Sequence, residues 1–187
     1  MENDLNRACE VLQKGGVILY PTDTIWGLGC DATQEDAVKR IYEIKRRSDS
    51  KSMLVLMDSS AHLEHYVNDL PAVASGLIEC SDKPLTIIYS GAKNLAANLI
   101  ASDGTIGIRI TNEMFSQTLC RRFGKPIVST SANFTGEPSP ANFSEINSEI
   151  FRLVDYVVEY GSKDMQKAKP SSIIRLERDG VIKIIRE

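Results

Sequence analysis

The sequence predicts an α/β protein in which helices pack against a mixed β-sheet. Short apolar runs bounded by turn residues recur along the chain, and segments with helical spacing of apolar residues lie between most of them. The 187 residues are 42% hydrophobic and 25% charged, which suits a domain with a substantial core. No repeat, low-complexity tract or linker interrupts this pattern, so we expect a single domain over residues 1–187.

The first two helices are predicted from apolar spacing and from candidate capping residues. Apolar residues recur at helical spacing between residues 5 and 12, and either Asn3 or Asp4 could cap this helix. Thr33 and Asp36 resemble a capping box that would open a second helix. The stretch between these helices contains a buried strand and then a loop, PTDTIWGLGCDA.

The remaining elements alternate in type along the chain. Apolar runs predict strands at 17–20, 53–57, 85–89, 105–110 and 156–160, and the run that opens PIVSTSAN (126–133) predicts another. Helical spacing predicts helices at 62–67, 71–79, 112–123 and 144–154. Residues 172–187 should form a hairpin around Arg178–Asp179–Gly180.

Charge, cysteine use and hydropathy exclude several classes of protein. The net charge of −3 argues against a protein held to nucleic acid by bulk charge. The four cysteines form no C-x-x-C pair and suggest free thiols in a reducing compartment. No apolar run is long enough to span a bilayer, and the acidic N-terminus lacks the order of a secretory signal. We therefore expect a cytoplasmic protein with no membrane partner.

Polar residues follow two of the predicted strands and indicate a binding site. Thr22–Thr24 follow the first strand, and PIVSTSAN carries Ser129, Ser131 and Asn133 at its polar end. Polar turns are the simpler explanation of such runs, but ligands in open α/β sheets also bind at strand ends. Arg109 lies inside the apolar strand TIGIRI, so it is either on an exposed face or paired with an anion.

A basic segment is a second candidate for anion binding. Residues 39–51 contain six basic residues, Lys39, Arg40, Lys45, Arg46, Arg47 and Lys51, against Glu43 and Asp49. A solvated helix face is the alternative. The familiar nucleotide and hydrolase motifs are missing: Gly27–Gly29 is no dinucleotide fingerprint, and neither a P-loop nor G-x-S-x-G is present. His62 and His65 fit a surface helix better than a metal site.

These segments together resemble the YrdC-like family, whose members are threonylcarbamoyl-AMP synthases of tRNA modification. The resemblance rests on GGVILYPTDTIWGLGCDA, IYEIKRRSDSKSMLVL, KPLTIIY, TIGIRI, STSANFTGEPSP and KPSSIIRL, which follow in the family's order and cover nearly the whole chain. It implies a twisted mixed sheet with flanking helices around a large, positively lined cavity. It also implies the short, single-domain form of the family.

The resemblance further implies a reaction, partners and site residues. L-Threonine, bicarbonate and ATP, with Mg²⁺ expected, would give L-threonylcarbamoyl-AMP and pyrophosphate, and a threonylcarbamoyl-transferase complex would then modify adenosine 37 of tRNA. Lys45, Arg47, Ser131 and Asn133 match the catalytic K-x-R and S-x-N tetrad. Positions that contact ATP in the family are Arg47, Lys51, Thr105, Ser131, Ser139 and Ser171; those that contact threonine are Thr24, Arg109 and Ser129. The metal ligands are not identified.

Some positions depart from the family pattern, and two alternatives stay open. SDKPLT replaces W-P-G-P-L-T, Arg46 and Ser48 replace a common glycine and proline, and Leu56 stands where some relatives have histidine. A YrdC-like module that binds tRNA or double-stranded RNA without chemistry is one alternative, although the acidic composition counts against it. A paralogue with another substrate is the second, and the intact Ser131–Ala132–Asn133 counts against that.

Overall fold

A computed structural model of the protein describes residues 1–46, 53–165 and 169–187. In these ranges the strands are β1 (Ile18–Tyr20), β2 (Gly27–Gly29), β3 (Leu54–Met57), β4 (Leu85–Ser90), β5 (Thr105–Ile110), β6 (Ile127–Ser131), β7 (Tyr156–Val157), β8 (Ser172–Leu176) and β9 (Ile182–Arg186). The α-helices are α1 (Glu2–Gln13), α2 (Glu35–Lys45), α3 (Leu63–Tyr66), α4 (Val73–Glu79), α5 (Met114–Phe123) and α6 (Ser148–Leu153). Short 3-10 turns occupy Ser60–His62 and Phe143–Glu145.

The strands form one mixed sheet, which confirms the predicted fold class. Within the described ranges their order is β7-β1-β2-β6-β3-β5-β4-β8-β9. β3 pairs with β5 in parallel and with β6 antiparallel, so the centre of the sheet contains both kinds of ladder. Helices α1 and α5 pack against each other and against β1 and β3, respectively. No helix in the described part of the chain is long and apolar enough to cross a membrane.

Two predicted helix caps are wrong because the side chains concerned form other hydrogen bonds. The first helix begins at Glu2, and Asp4 inside it accepts hydrogen bonds from the Tyr156 hydroxyl and the Glu159 amide. The second helix begins at Glu35 without a side-chain cap. The Thr33 hydroxyl instead donates to the buried Asp31 carboxylate over 2.6 Å. Asp4 thus accepts from donors on a distant segment, and Thr33 donates to a carboxylate two residues before it, so neither side chain caps a helix.

Strand β2 was not predicted, since residues 21–32 were expected to form a loop. Its two glycines allow β1, β2 and β6 to approach closely. A Cβ on Gly29 would lie 2.6 Å from the Tyr20 ring, and one on Gly27 would lie 3.2 Å from the Thr130 carbonyl oxygen. The Gly27–Leu28–Gly29 run therefore serves backbone packing, which a period-two apolar pattern cannot reveal.

Helix α5 shows how local sequence fixes both ends of an element. The Glu113 carboxylate accepts hydrogen bonds from the Phe115 and Ser116 amides at 2.8 and 2.7 Å, so it caps the N-terminus. Gly124 ends the helix with φ 73°, a conformation that favours glycine. The helix leads directly into β6, whose polar end was the first sign of a binding site.

Candidate functional site

A cleft of about 190 Å³ lies beside β2, the polar end of β6, β5 and the start of β8. It contains most of the polar residues singled out in the sequence. Six predicted site residues line it: Thr24, Arg109, Ser129, Ser131, Ser139 and Ser171. These residues come from chain segments far apart in sequence, so the fold itself creates the site. The large, positively lined cavity implied by the family remains a prediction.

Arg109 is buried in the wall of this cleft, with 3% of the residue exposed. One guanidinium nitrogen, Nη2, lies 3.0 Å from the Asp23 carboxylate and donates to the Thr24 hydroxyl over 3.1 Å. Its Nε is buried without a hydrogen-bond partner among the described residues. An arginine inside an apolar strand is thus explained by an anionic partner, as the sequence had suggested, with a donor left for a further acceptor.

Asp23 is a site residue that the sequence analysis did not single out. Burial raises the pKa of its carboxyl group, although the neighbouring Arg109 guanidinium opposes that rise. The signal was present in the sequence, because an acidic residue between two threonines after a buried strand is an obvious partner for a buried arginine. Asp23 holds the Arg109 guanidinium in position, and its carboxylate offsets the positive charge of that group.

Strand β6 presents two serines to the cleft. Ser129 is buried opposite Leu54 of β3, whereas the half-buried Ser131 pairs with Gly27 of β2. A Cβ on Gly27 would lie 3.3 Å from the Ser129 hydroxyl oxygen, so the absence of a side chain there lets β2 pack closely against this hydroxyl. Side chains along a strand point alternately to the two faces of the sheet. Thr130, next to the end of β6, nevertheless lines the cleft together with its two neighbours.

Lys45 and Asn133 lie beside the cleft rather than among the described residues that line it. The residue Lys45 is 3% exposed, and its ammonium group donates to the Ser131 and Asn133 carbonyl oxygens over 2.6 and 2.8 Å. The Asn133 amide nitrogen donates to the Glu137 carbonyl over 2.7 Å, and its oxygen accepts from the Ser131 hydroxyl. In this arrangement both residues shape the loop that carries Ser131.

Thr105 also lies away from the described lining of the cleft. Its hydroxyl donates to the Asp103 carboxylate over 2.6 Å, and this hydrogen bond is the main cause of the lowered pKa of Asp103. Thr105 is the first residue of β5, so this hydrogen bond joins the start of the strand to the preceding turn. Contact with ATP at this position therefore stays a prediction.

Arg186 was missed by the sequence analysis and borders the cleft. Its Nε and Nη2 atoms donate to the Ser171 carbonyl oxygen over 3.0 and 2.7 Å. The Ser171 hydroxyl shares a 2.8 Å hydrogen bond with Thr86. The pairing of β8 with β9 brings this arginine to the cleft, and the sequence near the C-terminus offers no local motif that would reveal it.

The basic segment is largely occupied by contacts with the protein itself. Arg40 pairs with Asp155, and Arg46 lies 2.7 Å from the Glu149 carboxylate. Arg47 and Lys51, which were predicted to contact ATP, lie outside the described residues. Their roles therefore remain predictions.

The described residues do not form a magnesium site of their own. No carboxylate is among the described residues that line the cleft, and no group of three potential metal ligands occurs in the described ranges. His62 and His65 are both exposed, as expected for a surface helix. Mg²⁺ commonly binds through substrate phosphates with few protein ligands.

The fold and the cleft define an α/β protein that offers a buried guanidinium, several hydroxyls and a second arginine to an anionic ligand. The chain matches the Sua5/YciO/YrdC family model, described as telomere recombination, over residues 10–187. It therefore belongs to the Sua5/YciO/YrdC family, which confirms the resemblance drawn from its motifs.

Relatives in several organisms support this assignment. The chain is 35% identical to a threonylcarbamoyl-AMP synthase of Pseudoalteromonas translucida over 84% of this chain and 86% of that protein. It is 30% identical to a threonylcarbamoyl-AMP synthase of Vibrio cholerae over 92% and 96% of the two chains. Both comparisons cover almost the full length of the relatives.

Solved structures share the fold. The crystal structure of E. coli YciO superposes with a TM-score of 0.85 at 28% identity and covers 100% of this chain and 90% of that one. The structure of P. abyssi Sua5 complexed with L-threonine superposes with a TM-score of 0.82 at 24% identity, over 92% of this chain and 50% of that one. The twisted mixed sheet with flanking helices is thus a fold that these proteins share.

Proposed function

We propose that this protein is an L-threonylcarbamoyladenylate synthase, which joins L-threonine, bicarbonate and ATP and releases pyrophosphate. The observation that carries the proposal is the buried Arg109 in a cleft with Thr24 and Ser129, in a chain whose relatives are threonylcarbamoyl-AMP synthases. One continuous sheet from β1 to β9 supports treating residues 1–187 as a single domain.

Arg109, Thr24 and Ser129 are the proposed threonine-binding residues. A guanidinium group can bind a carboxylate through two parallel hydrogen bonds, and the unpartnered Nε of Arg109 supports such a role. Thr24 and Ser129 line the cleft together with Arg109, and their hydroxyls could hydrogen-bond to the amine and hydroxyl of threonine. Asp23 would hold the guanidinium in place.

The remaining polar residues of the cleft are the proposed nucleotide-binding residues. Ser131, Ser139 and Ser171 offer hydroxyls, and Arg186 adds a positive charge. Arg47 and Lys51 are proposed to contact the phosphates, and Thr105 to contact the nucleotide from the start of β5. Mg²⁺, if it takes part, would enter with the phosphates of ATP.

The chemistry needs positioning more than a strong base. The threonine nitrogen bonds to the carbon of bicarbonate with loss of water, which gives a carbamate. A carbamate oxygen then bonds to the α-phosphorus of ATP, and the bond to the β-phosphate oxygen breaks to release pyrophosphate. Because the carbamate is already anionic, the enzyme must mainly align it with the phosphate and stabilise the developing charge. Lys45, Arg47, Ser131 and Asn133 are the proposed catalytic tetrad.

The product would be passed to a threonylcarbamoyl-transferase complex that modifies adenosine 37 of tRNA in the cytoplasm. A threonylcarbamoyl adenylate is an activated mixed anhydride, so a group-transfer step must consume it. This assignment follows from the proposed reaction and the names of the relatives. Binding of tRNA or double-stranded RNA without chemistry is the alternative function, and an assay of pyrophosphate release distinguishes it from the synthase.

The test is pyrophosphate release from ATP with L-threonine and bicarbonate, each omitted in turn, and with Mg²⁺ present. We expect release only when all three substrates are present. Replacing Arg109 with Ala should reduce kcat/KM by about 100-fold or more, because a charge-assisted contact is lost and Asp23 is left unpaired. Arg122→Ala is the matched control, since Arg122 pairs with Glu2 on the surface.

Release that does not depend on threonine would contradict this substrate and point to a paralogue with a different amine. If the folded protein released no pyrophosphate yet bound RNA in a strongly salt-dependent way, the RNA-binding alternative would replace the synthase.

A further inference from the structure

Arg46 occupies an unfavourable backbone conformation at the end of α2. Its φ of 52° and ψ of 44° lie in the left-handed region. Within the described ranges, the other non-glycine residues with positive φ are Asp69 and Asn94, whose short polar side chains tolerate this region better than arginine. Such a conformation persists only where surrounding contacts maintain it, and the Arg46 side chain makes two contacts that could do so.

The Arg46 side chain joins α2 to two other segments. Its guanidinium carbon lies 4.2 Å from the centre of the Phe134 ring, which is a cation–π contact. Its Nη2 atom lies 2.7 Å from the carboxylate of Glu149 in the first turn of α6. Phe134 is 3% exposed and directly follows Asn133, so the arginine covers the loop after β6.

Hydrogen bonds on both sides of this contact involve the proposed catalytic residues. The Thr135 amide donates to the Lys45 carbonyl oxygen over 3.0 Å. The Lys45 ammonium group donates to the carbonyl oxygens of Ser131 and Asn133. Three hydrogen bonds therefore join the end of α2 to the Ser131–Thr135 loop, and the Arg46–Phe134 contact covers them.

We propose that Arg46 is a positioning residue that holds the Ser131–Thr135 loop against the end of α2, and thereby fixes Ser131 in the cleft. This role rests on the proposed synthase function. Arg46 is not among the described residues that line the cleft, so it would act through the loop and not through substrate. A displacement of about 1 Å at a reacting group can lower a rate by about 100-fold, which makes such a contact matter for kcat.

Arg46→Gly tests the proposal, because glycine accepts the positive φ but cannot contact Phe134 or Glu149. We expect kcat for pyrophosphate release to fall about tenfold while KM for threonine stays within about twofold. Hydrogen exchange at the Thr135 amide should become about tenfold faster, whereas the unfolding temperature should change little.

Two further variants separate the contacts. Phe134→Leu removes the aromatic face while it keeps a large apolar side chain, and it should lower kcat as Arg46→Gly does. Arg46→Lys keeps a cation over the ring and beside Glu149, so it should restore at least half of the lost kcat. Arg122→Ala, which removes another surface arginine paired with a glutamate, should leave kcat and Thr135 exchange unchanged.

Several outcomes would overturn the proposal. Wild-type kcat and unchanged Thr135 exchange in Arg46→Gly would do so, and so would a fall in kcat that merely follows a large fall in unfolding temperature. If the wild-type protein released no pyrophosphate, the proposed synthase function would fail separately. Thr135 exchange would then still decide the contact: faster exchange in Arg46→Gly supports it, and unchanged exchange contradicts it.

Discussion

The Arg109 guanidinium lies 3.0 Å from the Asp23 carboxylate, and both side chains are almost buried beside the cleft, 3% and 10% exposed. Each charge is compensated by the other, so removal of either one alone would leave a buried charge unpaired. The buried Nε of Arg109 remains without an acceptor among the described residues, which supports the proposal that the cleft binds an anion.

Replacing Arg109 with Lys should separate charge from geometry. Lysine keeps the positive charge but cannot form the two parallel hydrogen bonds of a guanidinium group. We expect KM for L-threonine to rise about 10- to 100-fold, which corresponds to a loss of about 1.5–3 kcal/mol in a charge-assisted contact. The measurement is pyrophosphate release over a range of threonine concentrations, with Arg122→Lys as the control. An unchanged KM would remove Arg109 from the proposed threonine site.

Arg186 should contribute to nucleotide affinity. Arg186→Ala removes a cation at the cleft, and we expect the affinity for ATP to fall about tenfold, or about 1.4 kcal/mol. Lys183→Ala is a matched control on the same strand, because the Lys183 ammonium group pairs with Glu177 away from the described cleft lining. Titration calorimetry with a non-hydrolysable ATP analogue gives both affinities. Equal effects of the two variants would mean that only general surface charge matters.

Asp31 should make the free energy of unfolding depend on pH in the acidic range. Burial opposes its ionisation, but hydrogen bonds from Lys125, Thr33 and Gln34 outweigh burial and hold its pKa below the ordinary value of 3.8. The carboxylate therefore stabilises the native state above the unfolded-state pKa, and this contribution is lost as pH falls through the lower native pKa.

Asp31→Asn should accordingly lower the free energy of unfolding at pH 7 by about 1–3 kcal/mol. The difference between wild type and variant should shrink as the pH is lowered below 3.8. Urea unfolding at a series of pH values measures this. A difference that stays constant down to acidic pH would show that the ionised carboxylate is not the cause.

Gly29 should tolerate no side chain. A Cβ there would lie 2.6 Å from a ring carbon of Tyr20 and 3.0 Å from the Val128 carbonyl oxygen. Gly29→Ala should therefore cost about 1–3 kcal/mol of stability through overpacking. Gly76→Ala is the control: no atom lies within 4 Å of the added Cβ, and alanine favours the helix, so stability should rise by about 0.5–1 kcal/mol. Denaturant unfolding compares the two, and similar changes would contradict the packing explanation.

Local sequence patterns predicted most of the helices and strands, but they predicted fewer of the residues at which these elements begin and end. The strand at 105–110 has the predicted bounds, and the C-terminal hairpin is confirmed. The caps at Asp4 and Thr33 were predicted wrongly, since Asp4 binds Tyr156 on a distant segment and Thr33 binds the nearby Asp31. Strand β2 was missed because three residues with two glycines carry no strand signal of their own.

The sequence by itself determined the fold class and the family, because apolar periodicity and ordered motifs are local properties of the chain. It also identified most of the polar residues that line the cleft. Only the tertiary structure decided which residues meet there: it paired Arg109 with Asp23, brought Arg186 to the cleft and directed Lys45 toward the loop carbonyls. Such contacts depend on strand order and on competition between buried polar groups for partners, which involve residues distant in sequence.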